Sequence, residues 1–409
     1  MTLFEELKWR GLIKDVAGED IEDKLNGEPI TFYWGTDPTA DSLHLGHYSS
    51  LITAKRLANH GHKPILLVGG ATGLIGAPRP TAEREIISYD AVLKNIEGIK
   101  SQITKIFNGN VKVVNNYDWL KNMDLITFLR EVGKYVNINY MLDKDIIRRR
   151  LDTGITFAEF TYTLMQGYDF LHLYETENCL MQAAGSDQWG NITTGVDLIN
   201  KKLNKEAYAF TMPLILDKTG KKFGKSDGNA LWLDLNKTSS YELYQYLINT
   251  DDSLVEHYLK VFTFLSPDEI MDIVSKHNEN KELRLGQKTL AKCFITDLHG
   301  IEEYEKALRI SENLFSGNIK DIDTKDLLVG LKGVPNFIIK DTKLIDVLVN
   351  NNICTSRREA REFLSSNAIL INGDVVNDEN MEITKDIAKD NIIVIRRGKK
   401  KYIIGKFEE

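Results

Sequence analysis

From Ile30 to about Asp234, short apolar runs alternate with helical patterns, and this alternation limits the possible folds more than any other feature of the chain. Ile30-Thr-Phe-Tyr-Trp34 runs into the turn-rich Gly35-Thr-Asp-Pro-Thr-Ala-Asp41, after which Leu45, Leu51, Ile52, Ala54 and Leu57 recur at helical spacing. Pro64-Ile-Leu-Leu-Val68 ends in Gly69-Gly70, and Met212-Pro-Leu-Ile-Leu216 ends before Asp217-Lys-Thr-Gly220. Each apolar run reads as a strand, and strands that alternate with helices predict a mostly parallel α/β sheet. Residues from about 115 to 152, which include the run Arg148-Arg-Arg150, read as a helical insertion between sheet halves.

A chain of 409 residues accommodates two or three domains. Beyond a first domain of residues 1–238, the periodicity turns helical from about Ser239 to Ser316, opened by Tyr241, Leu243, Tyr244, Tyr246 and Leu247, which predicts a helical domain over 239–325. Gly330-Leu-Lys-Gly-Val-Pro-Asn336 punctuates an expected linker at 326–342, and a small α+β domain is expected over 343–409. There Ser356-Arg-Arg-Glu359 has capping-box spacing, and Ala360, Phe363 and Leu364 give the following helix one apolar face, leaving Arg357, Arg358 and Arg361 on the other. Asn372-Gly373 between apolar runs is a hairpin signal, and the close, with Lys399, Lys400 and Lys401, is basic.

With 52 basic against 59 acidic residues the net charge is −7, so any nucleic-acid partner must be met by local patches. Cys179, Cys293 and Cys354 lack paired spacing, which speaks against a disulfide framework or a zinc site. The first ten residues resemble an amphipathic helix, and no apolar span reaches membrane length, which together predict a cytoplasmic protein with no membrane partner.

Two separated patches, His44-Leu-Gly-His47 and Lys222-Phe-Gly-Lys-Ser226, suit the two sides of a polyphosphate. The first lies where a strand gives way to a helix, and there backbone N–H groups and the helix dipole favour anions. Each patch alone is a weak signal: paired histidines also bind metals, though no third ligand is apparent, and lysine-rich loops are commonly plain surface. No Gly-x-x-x-x-Gly-Lys-Ser/Thr or Gly-x-Gly-x-x-Gly segment is present, which weakens kinase, ATPase and dehydrogenase readings. In the helical stretch from Phe157 to Glu175, Tyr162, Gln166 and Asp169 share a face while Phe160, Leu164, Leu171 and Leu173 are apolar. A carboxylate buried on such a helix needs partners, supplied by a loop or by a polar ligand held between this helix and Tyr33.

Asp37-Pro-Thr-Ala-Asp-Ser-Leu-His-Leu-Gly-His47, Gly185-Ser-Asp-Gln-Trp-Gly-Asn191 and Lys222-Phe-Gly-Lys-Ser226, in this order, closely resemble bacterial-type tyrosyl-tRNA synthetases over essentially the whole chain. The resemblance implies a class I aminoacyl-tRNA synthetase with a Rossmann-like catalytic domain, a helical anticodon-binding domain, an S4-like RNA-binding tail and a homodimer. It implies that Tyr33 and Asp169 bind the substrate phenol, that Tyr162 and Gln166 hold its amino group, and that Gln188 lies near its carboxylate. Gly185 and Asp187 would contact the ATP ribose; Thr39, His44, Gly46, His47, Lys222 and Lys225 would serve the nucleotide and its phosphates. ATP would arrive with Mg²⁺ as a substrate complex, with no protein metal site and no prosthetic group. The tRNA would be met by Arg357, Arg358, Arg361, Lys399 and Lys400 in the tail, and its acceptor end by Arg148 to Arg150, Lys201 and Lys202.

Two departures stand out. Ala77 occupies the position where the family usually carries an aspartate for the substrate ammonium, and Arg79 to Arg84 form a shorter, less lysine-rich loop than usual. Three alternatives remain open: a tryptophan enzyme of the same fold, a nucleotidyltransferase with the same histidine signature, and a catalytically weakened RNA-binding paralogue.

Overall fold

The computed structural model describes residues 1–77, 87–152, 154–226, 229–398 and 401–408. They form two compact units, residues 1–238 with 246–298, and residues 239–245 with 299–409.

The first unit is built on a six-stranded sheet of β1 (Val16–Ala17), β2 (Thr31–Thr36), β3 (Lys63–Val68), β4 (Lys112–Asn115), β5 (Cys179–Gly185) and β6 (Tyr208–Met212), in the spatial order β1-β6-β5-β2-β3-β4. All neighbours are parallel except the edge pair of β1 with β6. The order reverses between β2 and β5, where Tyr33 pairs with both Ile65 and Gln182. In doubly wound sheets the crevice beyond the strand ends opens at this reversal. This is the Rossmann-like architecture expected from the alternation, and the helices Tyr117–Leu120, Leu125–Glu131, Ile138–Leu142 and Asp145–Arg148 fill the expected insertion between β4 and β5.

The run Met212–Leu216 is a correction. The strand ends at Met212, because Pro213 has no N–H to continue the ladder, and Leu216 makes only an isolated bridge to Lys222. The helix Phe157–Glu177 forms as expected, with a Thr156/Glu159 capping box at its start and Asn178 in the left-handed conformation at its end. Leu164, Phe170, Leu171 and Leu173 join Tyr33, Ile65 and Leu67 in one core, which fixes the rotation of the helix and turns its polar face toward the ends of the strands.

After the short pair β7 (Lys225–Ser226) and β8 (Asn229–Ala230) of the first unit, the second unit carries a sheet of β9 (Asn336–Ile338), β10 (Ile369–Ile371), β11 (Asp374–Val376), β12 (Ile392–Arg397) and β13 (Lys401–Lys406), ordered β11-β10-β12-β13-β9. Asn372 and Gly373 both have positive φ in the β10–β11 turn, the hairpin expected from their sequence. Along β12 the side chains alternate: Ile393 and Ile395 pack with Leu344, Leu348, Ala360 and Leu364, whereas Ile392 and Val394 pack with Ile310, Leu327 and Leu331. A strand buried on both faces reads as a continuous apolar run, here Ile392-Ile-Val-Ile395.

That two-sided burial corrects the expected partition. The helices over 239–325 form, but they do not make a compact unit of their own: residues 246–298 pack with the first sheet, while 299–316 cover one face of the second. Nor is 326–342 a free linker. Asn336–Ile338 pairs in parallel with β13, and Phe337 and Ile339 pack on its core.

Candidate active site

A cleft of about 320 Å³ opens at the carboxyl ends of β2 and β5 in the first unit. Twelve of the residues singled out from the sequence line it. Tyr33, Tyr162, Gln166 and Asp169 form one end; His44, Gly46, His47, Thr39 and Lys222 belong to the signature segments; Gly185, Asp187 and Gln188 follow β5. Lys225 does not line it among the described residues: its backbone lies in β7, but its side chain lies outside the description, as do Arg79, Arg84, Lys399 and Lys400 altogether.

Both histidines cap the helix Leu45–Asn59. Gly46 N donates to His44 Nδ1 at 3.1 Å, and His44 N donates to His47 Nδ1 at 3.3 Å, with the rings stacked 3.9 Å apart. Accepting at Nδ1 places the hydrogen of a neutral imidazole on Nε2. Burial, and then the neighbouring His44, push His47 down to about 3, so at neutral pH it is an uncharged donor. The first of the two patches therefore offers a polyphosphate, at His47, a hydrogen-bond dipole in place of a charge. Gly46 is required sterically, since a Cβ there would lie 2.9 Å from the His44 ring.

The second signature is seated against the first. Leu231 N donates to Gly224 O, and Leu45 N donates to Leu231 O, both at 2.9 Å. Gly224 N donates to the Tyr246 hydroxyl at 2.9 Å, and Phe223 packs among Tyr246, Tyr258 and Phe262. Aromatic packing of this kind anchors the base of the lysine loop.

At the other end, the Asp169 carboxylate is buried and accepts from Trp119 Nε1 at 2.8 Å and Asn116 Nδ2 at 2.9 Å. Burial pushes its carboxyl up to about 7; the Asn116 and Trp119 hydrogen bonds pull the other way, and Asp37 adds a repulsive charge. Tyr33 is 1% exposed, and its hydroxyl finds no hydrogen-bond partner among the described residues. Burial and the charge of Asp169 hold that phenol well above its ordinary value, so it stays protonated and can donate.

The sequence reading missed Asp37, Thr72, Asn116 and Trp119 as site residues. Tyr162 Oη donates to Asp37 Oδ2 and Thr72 Oγ1 to Asp37 Oδ1, both at 2.8 Å, and Asn116 Nδ2 donates to Thr72 Oγ1 at 3.0 Å. The available signal was position: Asp37 follows β2 and Asn116 follows β4, at the strand ends where ligands of such sheets bind.

Residues 25–316 match the family described as tRNA synthetases class I (W and Y), and residues 326–404 match the Tyrosine–tRNA ligase SYY-like C-terminal domain. The chain is a class I aminoacyl-tRNA synthetase. It is 48% identical to the Tyrosine–tRNA ligase of Streptococcus pyogenes serotype M3, over 99% of both chains. Among solved structures, it resembles a C-terminally truncated Aspergillus nidulans mitochondrial tyrosyl-tRNA synthetase with a TM-score of 0.70 and 31% identity, covering 77% of this chain and 94% of that one. A tryptophanyl-tRNA synthetase from Encephalitozoon cuniculi matches with a TM-score of 0.55 and 14% identity, covering 80% of this chain and 90% of that one, a likeness of fold alone.

The synthetase's arginine-rich segments differ from expectation at one point. Arg150, read as a possible contact for an acceptor stem, is buried in a two-pronged pair with Glu159 at 2.9 and 3.1 Å, and its guanidinium is committed there. Lys201 pairs with Asp197 and Lys202 with Glu131. Arg357, Arg358 and Arg361 are exposed and pair with Asp346, Glu362 and Glu379. Among the described residues no His/Cys/Asp/Glu cluster is suited to a metal ion, and no helix is long and apolar enough to cross a membrane.

Proposed function

We infer that the cleft activates L-tyrosine with MgATP to tyrosyl-adenylate and pyrophosphate, then passes the tyrosyl group to the 3′-terminal adenosine of tRNA(Tyr). The observation that carries the reading is the buried Tyr33 hydroxyl, without a hydrogen-bond partner among the described residues and close enough to Asp169 for that carboxylate to shift its titration. A phenol satisfies both groups, accepting from Tyr33 and donating to Asp169. Phenylalanine offers neither function, and an indole offers a donor without an acceptor. The near full-length identity with a Tyrosine–tRNA ligase supports the same substrate.

The substrate carboxylate attacks the α-phosphorus, an oxygen–phosphorus bond forms, and the bond to the bridging oxygen breaks as pyrophosphate leaves. The nucleophile is already ionised, so no protein base is needed, and the work is positioning and charge stabilisation. His44 and His47 serve the phosphates as donors, with Thr39, Lys222 and Lys225, and Gly46, without a side chain, lets the nucleotide approach beside them. Gly185 and Asp187 hold the ribose, Gln188 the reacting carboxylate, and Tyr162 and Gln166 the amino group. A terminal ribose hydroxyl of the tRNA then attacks the carbonyl carbon, and AMP departs.

The tail arginines, with Lys399 and Lys400, meet the tRNA by exchanging their carboxylate partners for phosphates, helices within 239–325 serve the anticodon, and residues 343–409, with the strand Asn336–Ile338 paired to β13, act as the S4-like RNA-binding part. Exposed Leu125, Ile126, Leu129 and Ile138 in the insertion, with Phe157 at the start of the helix that follows it, fit an interface with a second copy, consistent with a homodimer working in the cytoplasm. The deciding experiment is exchange of labelled pyrophosphate into ATP. Tyrosine should drive it, and tryptophan and phenylalanine should not; no exchange with tyrosine refutes activation and leaves the silent RNA-binding paralogue.

A further inference from the structure

A free amino acid brings an ammonium group as well as a phenol, and the cleft must meet that positive charge. Ala77 lines the cleft, and its side chain, a methyl group, carries no charge. Three carboxylates line it: Asp37, Asp169 and Asp187. Asp169, which accepts from Asn116 and Trp119, lies with Tyr33 at the phenol end. Asp187 stands in the turn Ser186–Gln188 that follows β5, with Gly185. Asp37 instead accepts the Tyr162 hydroxyl, and Tyr162 lies one helical turn from Gln166 on the face that ends at Asp169.

Seven residues of helix separate Tyr162 from Asp169, an axial distance of about 10 Å. A molecule gripped by its phenol near Asp169 therefore places its opposite end near Tyr162 and Asp37. The Asp37 carboxylate is also rigid. Thr72 holds Oδ1, and Gly69 passes so close that a Cβ there would come within 2.2 Å of that oxygen. Its charge is felt at Asp169, so a cation set beside it relieves a repulsion between two carboxylates joined through Thr72 and Asn116.

We propose that Asp37 supplies the counter-charge for the substrate's α-ammonium group and thereby selects amino acids over deaminated hydroxyphenyl acids. This rests on the tyrosine reading above. Charge-assisted hydrogen bonds from an ammonium to a carboxylate are roughly twice as strong as neutral ones, and their loss corresponds to about 10–100-fold in affinity.

The test is equilibrium binding of three phenols to the full chain: L-tyrosine, tyramine, which keeps the ammonium, and 3-(4-hydroxyphenyl)propionate, which lacks it. In Asp37→Asn, tyrosine and tyramine should each bind about 10–100-fold more weakly while the propionate binds as before. Adding Ala77→Asp to that variant should restore tyrosine and tyramine binding. Equal weakening of all three phenols would make Asp37 a scaffold residue and overturn the proposal, as would unchanged tyrosine binding. A wild-type chain that binds none of the three removes the tyrosine reading itself, a result distinct from either.

Discussion

Arg150 and Arg358 each face a glutamate, yet the two pairs are different devices. Arg150 and Glu159, in the catalytic unit, have side chains 6% and 1% exposed and share two parallel hydrogen bonds. Arg358 and Glu362, in the tail, are 90% and 65% exposed and meet through a single nitrogen. In the sequence both arginines stand in arginine runs, and nothing in residue type separates them. Burial does. A pair withdrawn from water cannot trade partners without leaving a bare charge, whereas a solvated pair exchanges a carboxylate for a phosphate at little cost. Charge at the surface is available for binding; charge in the interior is committed to the fold or, as at Asp169, held by donors from the interior.

The sharpest way to break this contrast is to remove one partner from each pair. Arg150→Ala should cost about 3–5 kcal/mol of stability, seen as a lowered denaturant midpoint. Arg358→Ala should leave the midpoint near that of the parent, and equal shifts would erase the distinction. Next in size, Lys222→Ala should slow adenylate formation by about 3 kcal/mol of barrier, with tyrosine affinity retained, in rapid-quench measurements. Asp169→Ala should forfeit about 1.5–3 kcal/mol of preference for tyrosine over phenylalanine in pyrophosphate exchange; undiminished preference would take Asp169 out of the pocket.

Titration gives a finer probe. The Asp169 carboxyl is raised to about 7, so it is protonated below that value and would lose the acceptor role proposed for it. Tyrosine affinity should therefore fall as pH drops through about 7, by up to about tenfold per unit, and a flat profile between pH 6 and 8 would contradict the assignment. The sign for folding is opposite. An acid whose pKa is raised on folding contributes stability that is present at low pH and lost as pH rises from about 4 toward 7, so the unliganded protein should weaken over that window. The smallest effect belongs to the tail: replacing Arg357, Arg358 and Arg361 together by alanine should flatten the salt dependence of tRNA binding by about two to three units of slope.

Much of the catalytic half was legible because its signals are local. Strand–loop–helix alternation located β2, β3 and the cleft, and the i, i+4, i+7 spacing of Tyr162, Gln166 and Asp169 described a face that the core enforces through Leu164, Phe170 and Leu171. What escaped was set by tertiary contact. Asn116 and Trp119 reach Asp169 across about fifty residues of chain, 53 and 50 positions apart, and no periodicity carries that information. The unit boundaries escaped for a similar reason. Whether helices near residue 300 pack on the first sheet or the second depends on which apolar faces remain uncovered, and the one clue, Ile392-Ile-Val-Ile395, lies about ninety residues downstream.

That doubly covered strand has a practical result for anyone dissecting this enzyme. Cutting the chain at residue 343 would remove β12 and β13, strip the lid from Ile310, Leu327 and Leu331, and leave β9 without its neighbour. Lost aminoacylation in such a fragment would report a sticky, unshielded helix surface as readily as missing RNA contacts. Charge reversal at the tail arginines leaves that apolar surface covered and is the cleaner instrument for separating recognition of the nucleic acid from integrity of the scaffold.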